Sequence, residues 1–220
     1  MTDDVAVRIY LDSVSRDSFE SSPDITPFKR LSELMKRSEL DYKIIFLPWN
    51  RALAEVQSVP NSLIYQLLRT DQRENQYIWI MPATDMEPML LVGRSGMTSD
   101  LLKTEVVDGR FSAACFMGSA QCEQLLAFGF RESNLLRTSR VEPFHLESLL
   151  VGERVDFIAA FESSLQQPLA DISDLHGQYS SYAILDDSVD YLAAAKGMVK
   201  PTIIQRLKLA AVRLGKDSGE

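Results

Sequence analysis

The chain has 220 residues, enough for one large or two small domains, and 45% of them are apolar, which is ordinary for a globular protein. Its formal net charge of −8 argues against binding to nucleic acid or to anionic lipid, because both need a basic face on the protein. No run of about 18 apolar residues occurs, so no transmembrane helix is predicted.

The first part of the chain alternates between strand-like and helix-like segments. Apolar residues alternate with others over 5–11, which predicts a strand, and Thr26-Pro27 is typical of the start of a helix. The apolar run 42–47 predicts a buried strand, and Asn50 is predicted to cap a short helix after it. Further strands are predicted at 63–68 and 77–81.

The second part continues the same alternation after an irregular segment, 82–88. Strands are predicted at 89–93, 111–116, 135–138, 155–161 and within 181–196, and helices at 99–103, from Gly118-Ser119, from Pro143 and over 200–214. This order of strands and helices is the pattern of an α/β protein.

Cys115 and Cys122 are the only cysteines, and they flank a Gly-Ser turn. A helix that starts at Ser119 would direct the two sulfur atoms apart, so we expect two buried thiols. His145 and His176 lie far apart in the sequence without a Cys/His cluster, so neither a zinc site nor another metal site is predicted.

Several segments in a fixed order carry a family resemblance. They are Pro48–Ala52, Arg69–Glu74, Phe116–Ser119, Leu149–Phe157 and Tyr191–Lys196. Together they resemble the family 3 extracellular solute-binding proteins, which are periplasmic receptors for amino acids and related solutes. No single segment is distinctive, but their order and spacing extend over most of the chain.

The resemblance implies an α/β fold of the type II periplasmic-binding-protein kind, with two lobes joined by two hinge crossings and a mixed sheet flanked by helices in each lobe. Lobe 1 would comprise 1–84 and 187–220, and lobe 2 would comprise 85–186. A small carboxylate-bearing solute would bind in the cleft between the lobes, which close by hinge motion. The implied protein is a monomer that delivers its solute to an ABC-type importer, and it is neither an enzyme nor dependent on a cofactor.

The N-terminal sequence Met1–Asp4 has neither the basic nor the apolar region of a signal peptide. One interpretation is a cytosolic protein, and the other is a mature domain without its leader. The family resemblance favours the second interpretation, and therefore a periplasmic location.

Arg73 is the main candidate for ligand binding. The resemblance implies that this arginine grips the ligand's carboxylate, and a guanidinium fork suits a carboxylate through two parallel, charge-assisted hydrogen bonds. The competing interpretation is a solvated charge cluster around a turn. Gly118 and Ser119 are the second candidates, because a helix N-terminus offers N–H groups to an anion. An ordinary helix cap is the alternative there.

Aromatic residues form a third group of candidates, because rings beside a cleft can bury the apolar parts of a ligand. Trp49 is the best of these, and Tyr65 and Tyr10 are further candidates. For Trp79, packing in the core is the favoured interpretation.

One position departs from the family pattern. Where classical amino-acid receptors carry an aspartate for the ligand's ammonium group, this chain has Phe161, and Glu162 follows it. Tyr65-Gln66 likewise replaces a serine pair that usually precedes the arginine segment. Either Glu162 takes over with a shift of one residue or the ligand is not an ordinary α-amino acid, whereas carboxylate recognition by Arg73 remains expected.

Three alternatives to a transport receptor stay open. The first is a ligand-sensing domain of the same fold that signals to a membrane partner. The second is an enzyme of the fold, similar to a dehydratase, although the sequence has no nucleophile elbow, P-loop or metal-ligand spacing. The third is a divergent member that binds a protein partner or nothing.

Overall fold

The computed structural model describes residues 6–21, 26–96, 102–139, 145–161 and 179–218. The chain divides into two compact units. Unit 1 comprises Met1–Met86 and Val189–Glu220, and unit 2 comprises Glu87–Ser188. These boundaries lie two residues from those predicted for the lobes.

The described elements alternate as an α/β protein requires. The strands are β1 Val7–Asp12, β2 Tyr42–Leu47, β3 Ser62–Leu68, β4 Tyr77–Pro82, β5 Met89–Arg94, β6 Ala113–Phe116, β7 Leu135–Thr138, β8 Phe157–Phe161, β9 Tyr179–Asp186 and β10 Asp190–Ala195. The helices are α1 Arg16–Ser21, α2 Thr26–Ser38, α3 Trp49–Ser58, α4 Leu102–Val107, α5 Ala120–Phe128, α6 His145–Val151 and α7 Pro201–Ser218. Short 3₁₀ turns occur at Ser13–Ser15 and Glu132–Asn134.

Unit 1 is built on a mixed sheet in the order β2-β1-β3-β10-β4. Strand β1 is parallel to β2 and β3, whereas β10 is antiparallel to β3 and β4. Both faces are covered, because α2 and α7 pack on one face and α3 packs on the other. Val7, Ile9 and Leu11 point to the first face and Tyr10 to the second, so the alternation along β1 directs side chains into both cores.

Unit 2 repeats this plan with a mixed sheet in the order β7-β6-β8-β5-β9. Here β6 is parallel to β7 and β8, and β5 is antiparallel to β8 and β9. Helix α6 packs on the face that carries Val92, Ala114 and Ile158. The two units therefore share one arrangement, in which the second strand of the sheet, β1 or β6, has a parallel neighbour on each side.

An aromatic cluster fills part of unit 2 around Phe157, which is fully buried. Its ring packs edge-on against Phe111, Phe130 and Tyr182, with centroids 5.4, 6.0 and 5.7 Å away. Gly93 on the neighbouring strand leaves the space for this ring, because a Cβ atom there would lie 2.6 Å from its Cε1 atom. A side chain at position 93 and the phenylalanine at 157 are thus mutually exclusive in this packing.

Two local predictions are wrong, and the described end of a third element differs from its predicted end. Pro48, not Asn50, is the N-cap residue of α3, and the Asn50 carboxamide accepts a hydrogen bond from the Arg51 N–H instead. The helix predicted at 99–103 is described only from Leu102, and it continues to Val107. The predicted helix start at Pro143 lies outside the described residues.

The second wrong prediction concerns the cysteines, which are joined as a disulfide and are not free thiols. Cys115 is the penultimate residue of β6, and Cys122 lies in the first turn of α5. The tight turn between them folds the helix back onto its own strand and brings the two Cα atoms to 5.3 Å, within disulfide range. The prediction neglected this reversal of the chain.

In the part of the chain that the structure describes, none of the helices combines the length and the apolar character that crossing a bilayer demands.

Candidate functional site

Unit 1 has a topological switch point beside β1. The chain leaves β1 for β2 on one side and then crosses to β3 on the other, so the order 2-1-3 places the switch point at the carboxyl ends of β1 and β3. Ligands of open α/β sheets bind at such a point. The segment from Arg69 to Arg73 follows β3 directly and therefore lies at this edge.

Arg73 is held at the carboxyl end of β3. Its side chain is only 5% exposed, and its Nη1 atom donates a hydrogen bond to the Leu68 carbonyl oxygen at 3.3 Å. A turn that follows the strand fixes its backbone, because the Arg73 N–H donates to the Thr70 carbonyl oxygen at 3.0 Å. A solvated charge cluster does not describe this residue, since its guanidinium is withdrawn from water.

Arg69, in contrast, forms a surface ion pair, so the interpretation as a solvated charge cluster fits this arginine. It donates two hydrogen bonds to the Glu74 carboxylate, both at 2.7 Å, and these bonds lower the pKa of Glu74. Its guanidinium also lies over the rings of Trp79 and Tyr191, 5.6 and 5.5 Å from their centroids. The two arginines of the segment therefore have different surroundings, and only Arg73 is buried.

Two of the aromatic candidates lie inside unit 1. Tyr65 is 0% exposed, and its hydroxyl donates to the carbonyl oxygens of Pro27 and Ala83, at 2.6 and 3.2 Å. Burial raises the pKa of this phenol. Tyr10 is 3% exposed and belongs to the core under α3. Core packing accounts for the position of both residues, and their contact with a ligand stays a prediction.

The two tryptophans are half-buried. Trp49 is the first residue of α3 and follows β2 after Pro48, so it lies at the same sheet edge as Arg73. Trp79 on β4 packs edge-on against Tyr191 with its ring centroid 5.6 Å away. Trp49 thus remains a candidate contact, while Trp79 belongs to the stack around Arg69.

Unit 2 has the equivalent switch point, between β6 and β8. The chain leaves β6 for β7 on one side and then crosses to β8 on the other, in the order 7-6-8. The carboxyl end of β6 leads into Gly118 and Ser119, and that of β8 is Phe161. Three of the predicted residues therefore gather at one edge of one sheet.

The turn after β6 is closed by its own side chains. Gly118 has φ +77°, the left-handed conformation that glycine adopts most readily. Ser119 is the N-cap residue of α5, but its hydroxyl donates to the Phe116 carbonyl oxygen at 2.7 Å and makes no capping bond. Gln121 ties the turn to β8, because its amide donates to the Ala159 carbonyl oxygen at 2.8 Å.

Phe161 and Asp186 flank the same residue of β5. Met89 pairs with Phe161 of β8 on one side and with Asp186 of β9 on the other. Asp186 is half-buried, accepts a hydrogen bond from the Gln124 side chain and accepts another from the Ser188 N–H at 2.6 Å. Sequence reasoning missed this carboxylate, because only the strand register brings it to the edge that Phe161 occupies. Glu162 lies outside the described residues.

Gln66 is a second residue that the sequence did not reveal. It has φ +62° inside β3, where the pairing of β3 with β10 shifts register. Left-handed backbone is costly for a residue with a side chain, and such strain clusters at binding sites. A glutamine gives no sequence signal for this conformation, which glycine or asparagine would have given.

Glu147 on α6 is a partly buried acid. Desolvation by burial raises the pKa of Glu147. The pKa of Tyr179 is also raised, first by burial and then by the negative charge of Glu147. Among the described residues, no group of three or more His, Cys, Asp or Glu side chains could hold a metal ion.

No protein-family model matches the chain, and no curated protein matches it in sequence. Solved structures do resemble it. A histidine kinase sensor domain with similarity to periplasmic binding proteins superposes with a TM-score of 0.70 at 13% identity, covering 97% of this chain and 92% of that one. The arginine-, lysine-, histidine-binding protein ArtJ from Geobacillus stearothermophilus gives 0.67 at 14% identity, with 98% and 91% covered.

The ligand-binding core of GluR0 from Nostoc punctiforme, in complex with L-glutamate, gives a TM-score of 0.66 at 12% identity and covers 97% of this chain and 94% of that one. These likenesses confirm the predicted fold class, the two-lobed periplasmic-binding-protein fold with a mixed sheet and flanking helices in each lobe. At such low identity they establish the fold and nothing finer.

Proposed function

We propose that the chain binds a small carboxylate-bearing solute and that Arg73 receives the carboxylate. The observation that carries the proposal is the burial of this guanidinium at the carboxyl end of β3, beside the switch point of unit 1. A guanidinium removed from water stabilises an anion more strongly than an exposed one, and its planar fork fits a carboxylate.

Further candidate contacts lie in both units. The Gly118-Ser119 turn leads into the N-terminus of α5, where the helix dipole favours an anion, and Phe161 and Trp49 offer apolar surface. The phenyl ring of Phe161 accepts no hydrogen bond from an ammonium group, so the ligand is not held as in classical amino-acid receptors. Glu162 remains the proposed acidic substitute. Ligands of the predicted kind include amino acids with altered amino groups, short peptides and simple organic acids.

Two destinations for the bound solute are proposed. The first is delivery to an ABC-type importer in the periplasm, as the family resemblance implies. The second is signalling to a membrane partner, which the likeness to a histidine kinase sensor domain favours. The neighbours with this fold are binding proteins and sensor domains, which supports binding without catalysis. Uptake of labelled ligand that is lost on gene deletion would indicate transport, and a transcriptional response without uptake would indicate sensing.

The first experiment is a thermal-shift screen of amino acids, oligopeptides, polyamines and small carboxylates. A ligand at about 100 times its Kd adds about 2.7 kcal/mol to the free energy of unfolding, which raises Tm by several degrees. We expect the shift to come from one class of carboxylate and to vanish in Arg73→Ala. Arg51→Ala, which removes an exposed arginine of the same unit, serves as the matched control.

Because Arg73 is buried, Arg73→Ala could lower the stability of the free protein as well. Arg73→Lys keeps the positive charge but loses the planar fork, and its affinity for the ligand found in the screen is measured by calorimetry. We expect at least about a tenfold weaker Kd for the lysine variant with a cooperative unfolding transition retained. Unchanged binding in both variants, or no shift with any carboxylate, would contradict the proposal.

A further inference from the structure

A surface groove runs along the last helix of unit 1. It encloses about 560 Å³ and is lined mainly by apolar side chains. The lining residues that matter here are Ile78 of β4 and Ile204, Lys208, Leu209 and Val212 of α7. The groove lies within unit 1 and shares no residue with the switch-point site.

Two large apolar side chains of this groove face water. Leu209 is 52% exposed and Val212 is 57% exposed, and they lie three residues apart on one side of α7. The opposite side of the helix, with Leu207 and Leu214, is buried against the sheet and α2. Helix α7 is thus apolar on two sides, and only one of them is covered by the part of the chain that the structure describes.

The strand beside the groove is an edge strand without the usual protection. Strand β4 pairs with β10 on one side and stands last in the order of its sheet. Its residues, Tyr77 to Pro82, include no charged side chain, and proline occurs only at the end. Natural sheets usually block such edges with charges or early prolines, or they cover them.

The charge along the groove is positive in a protein whose net charge is −8. Up to Lys216, helix α7 carries Arg206, Lys208, Arg213 and Lys216 and no acidic residue. Arg206 is engaged, because it donates to the carbonyl oxygens of Ser38 and Glu39. Lys208 and Arg213 are exposed, and neither forms an ion pair with a residue whose side chain the structure describes.

We propose that this groove docks an acidic amphipathic helix of a partner protein. The apolar side of that helix would cover Leu209, Val212 and Ile78 and continue the layer that α2 and α7 form, while its carboxylates would pair with Lys208 and Arg213. Charge complementarity selects this occupant, because an acidic segment meets the basic stretch of an otherwise acidic protein.

The same charges disfavour two other occupants. A second copy that used the same surface across a two-fold axis would bring Lys208 and Arg213 against their own equivalents. An anionic membrane would attract α7, but it would repel the rest of a chain with net charge −8. A concave groove also matches the ridge of a helix better than a flat bilayer.

The test measures the binding of two labelled helical peptides to the full-length protein by fluorescence anisotropy. One carries leucine at positions i, i+3, i+4 and i+7 flanked by glutamates, and the other has lysine in place of each glutamate. We expect the acidic peptide to bind at least about tenfold more tightly than the basic one. Binding should fall at least about tenfold in Lys208→Glu/Arg213→Glu and in Leu209→Asp, and it should be unchanged in Lys29→Glu, an exposed lysine on α2.

Equal binding of both peptides, or none at millimolar concentration, would overturn the proposal. Light scattering and sedimentation with phosphatidylglycerol vesicles examine the other occupants. A dimer that Val212→Asp dissociates would assign the groove to a second copy, and vesicle binding lost in the charge-reversed variant would assign it to a membrane. If either result is found and the acidic peptide does not bind selectively, the proposal of a partner protein is contradicted.

Discussion

Cys115 and Cys122 are joined across the turn that contains Gly118 and Ser119. The disulfide therefore ties the end of β6 to the first turn of α5 at the switch point of unit 2. Together with the Gln121 amide, which donates to the Ala159 carbonyl oxygen, it fixes the candidate anion-binding turn to the sheet. A binding turn held in this way needs little ordering when a ligand arrives.

Loss of the disulfide should lower the free energy of unfolding. The cysteines are seven residues apart, and closing so short a loop in the unfolded chain corresponds to about 2 kcal/mol. We expect urea to unfold Cys115→Ala/Cys122→Ala at a lower midpoint than the wild type. A reducing agent should shift the wild type to the same extent and leave the variant unchanged. Insensitivity of the wild-type midpoint to reduction would contradict the presence of the bond.

Tyr65→Phe should destabilise unit 1 without weakening ligand binding. The variant removes the hydroxyl that donates to the buried carbonyl oxygens of Pro27 and Ala83, which costs about 1–2 kcal/mol. Urea unfolding measures this loss, and Tyr42→Phe, at an exposed position of β2, is the matched control. A Kd that rises in Tyr65→Phe while stability is unchanged would return this residue to the binding site.

Gly93→Ala should destabilise unit 2 by about 1–3 kcal/mol, because the new Cβ atom meets the buried ring of Phe157. Phe157→Leu removes the clash, so the double variant should lose less stability than the sum of the two single variants. A double-mutant cycle measures this coupling, expected to be at least about 0.5 kcal/mol. Strict additivity would mean that the ring has room to move.

Glu147→Gln should change how stability depends on pH. Burial raises the pKa of Glu147 above its ordinary value of 4.5, so the folded state favours the protonated acid. The stabilisation from this group is complete below about pH 4.5 and is lost as pH rises through the raised pKa. The glutamine variant, which stays neutral, should therefore have a higher Tm than the wild type near pH 7.5 and a similar one near pH 4.

The control for this pH experiment is Glu20→Gln, which removes a carboxylate at an exposed position of α1. We expect the Tm of this variant to follow that of the wild type at both pH values. A Glu147→Gln variant that is less stable than the wild type near neutral pH would show that the charged carboxylate makes a favourable interaction, contrary to its burial.

The sequence predicted most of the secondary structure because strands and helices here have clean apolar patterns. The strands at 42–47 and 135–138 match the predictions residue for residue, and the helix from Thr26 begins where its Thr-Pro signal indicated. The sequence did not predict every point at which a helix or strand begins. The start of α3 is one example, since Pro48 takes the N-cap position without a side-chain bond.

The candidate site was predictable only in part, because sequence spacing does not reveal strand order. Arg73 and the Gly118-Ser119 turn were identified from motifs, and the strand orders bring both to switch points. Asp186 could not be predicted as part of this edge, because only the strand register pairs it with Met89. Gln66 could not be predicted either, because a glutamine gives no sequence signal for a left-handed backbone. The burial of Tyr65 was not predicted, because its position in the motif did not disclose which face of β3 it occupies.

The repeated strand order has a consequence for how the protein unfolds. Each unit has its own sheet and core, so in the absence of ligand the two can lose structure in separate calorimetric transitions. A solute adds its binding free energy only to a unit whose residues it contacts. The identity of the heat-absorption peak that moves on saturation, besides the size of its shift, would therefore report which unit supplies the contacts to the ligand.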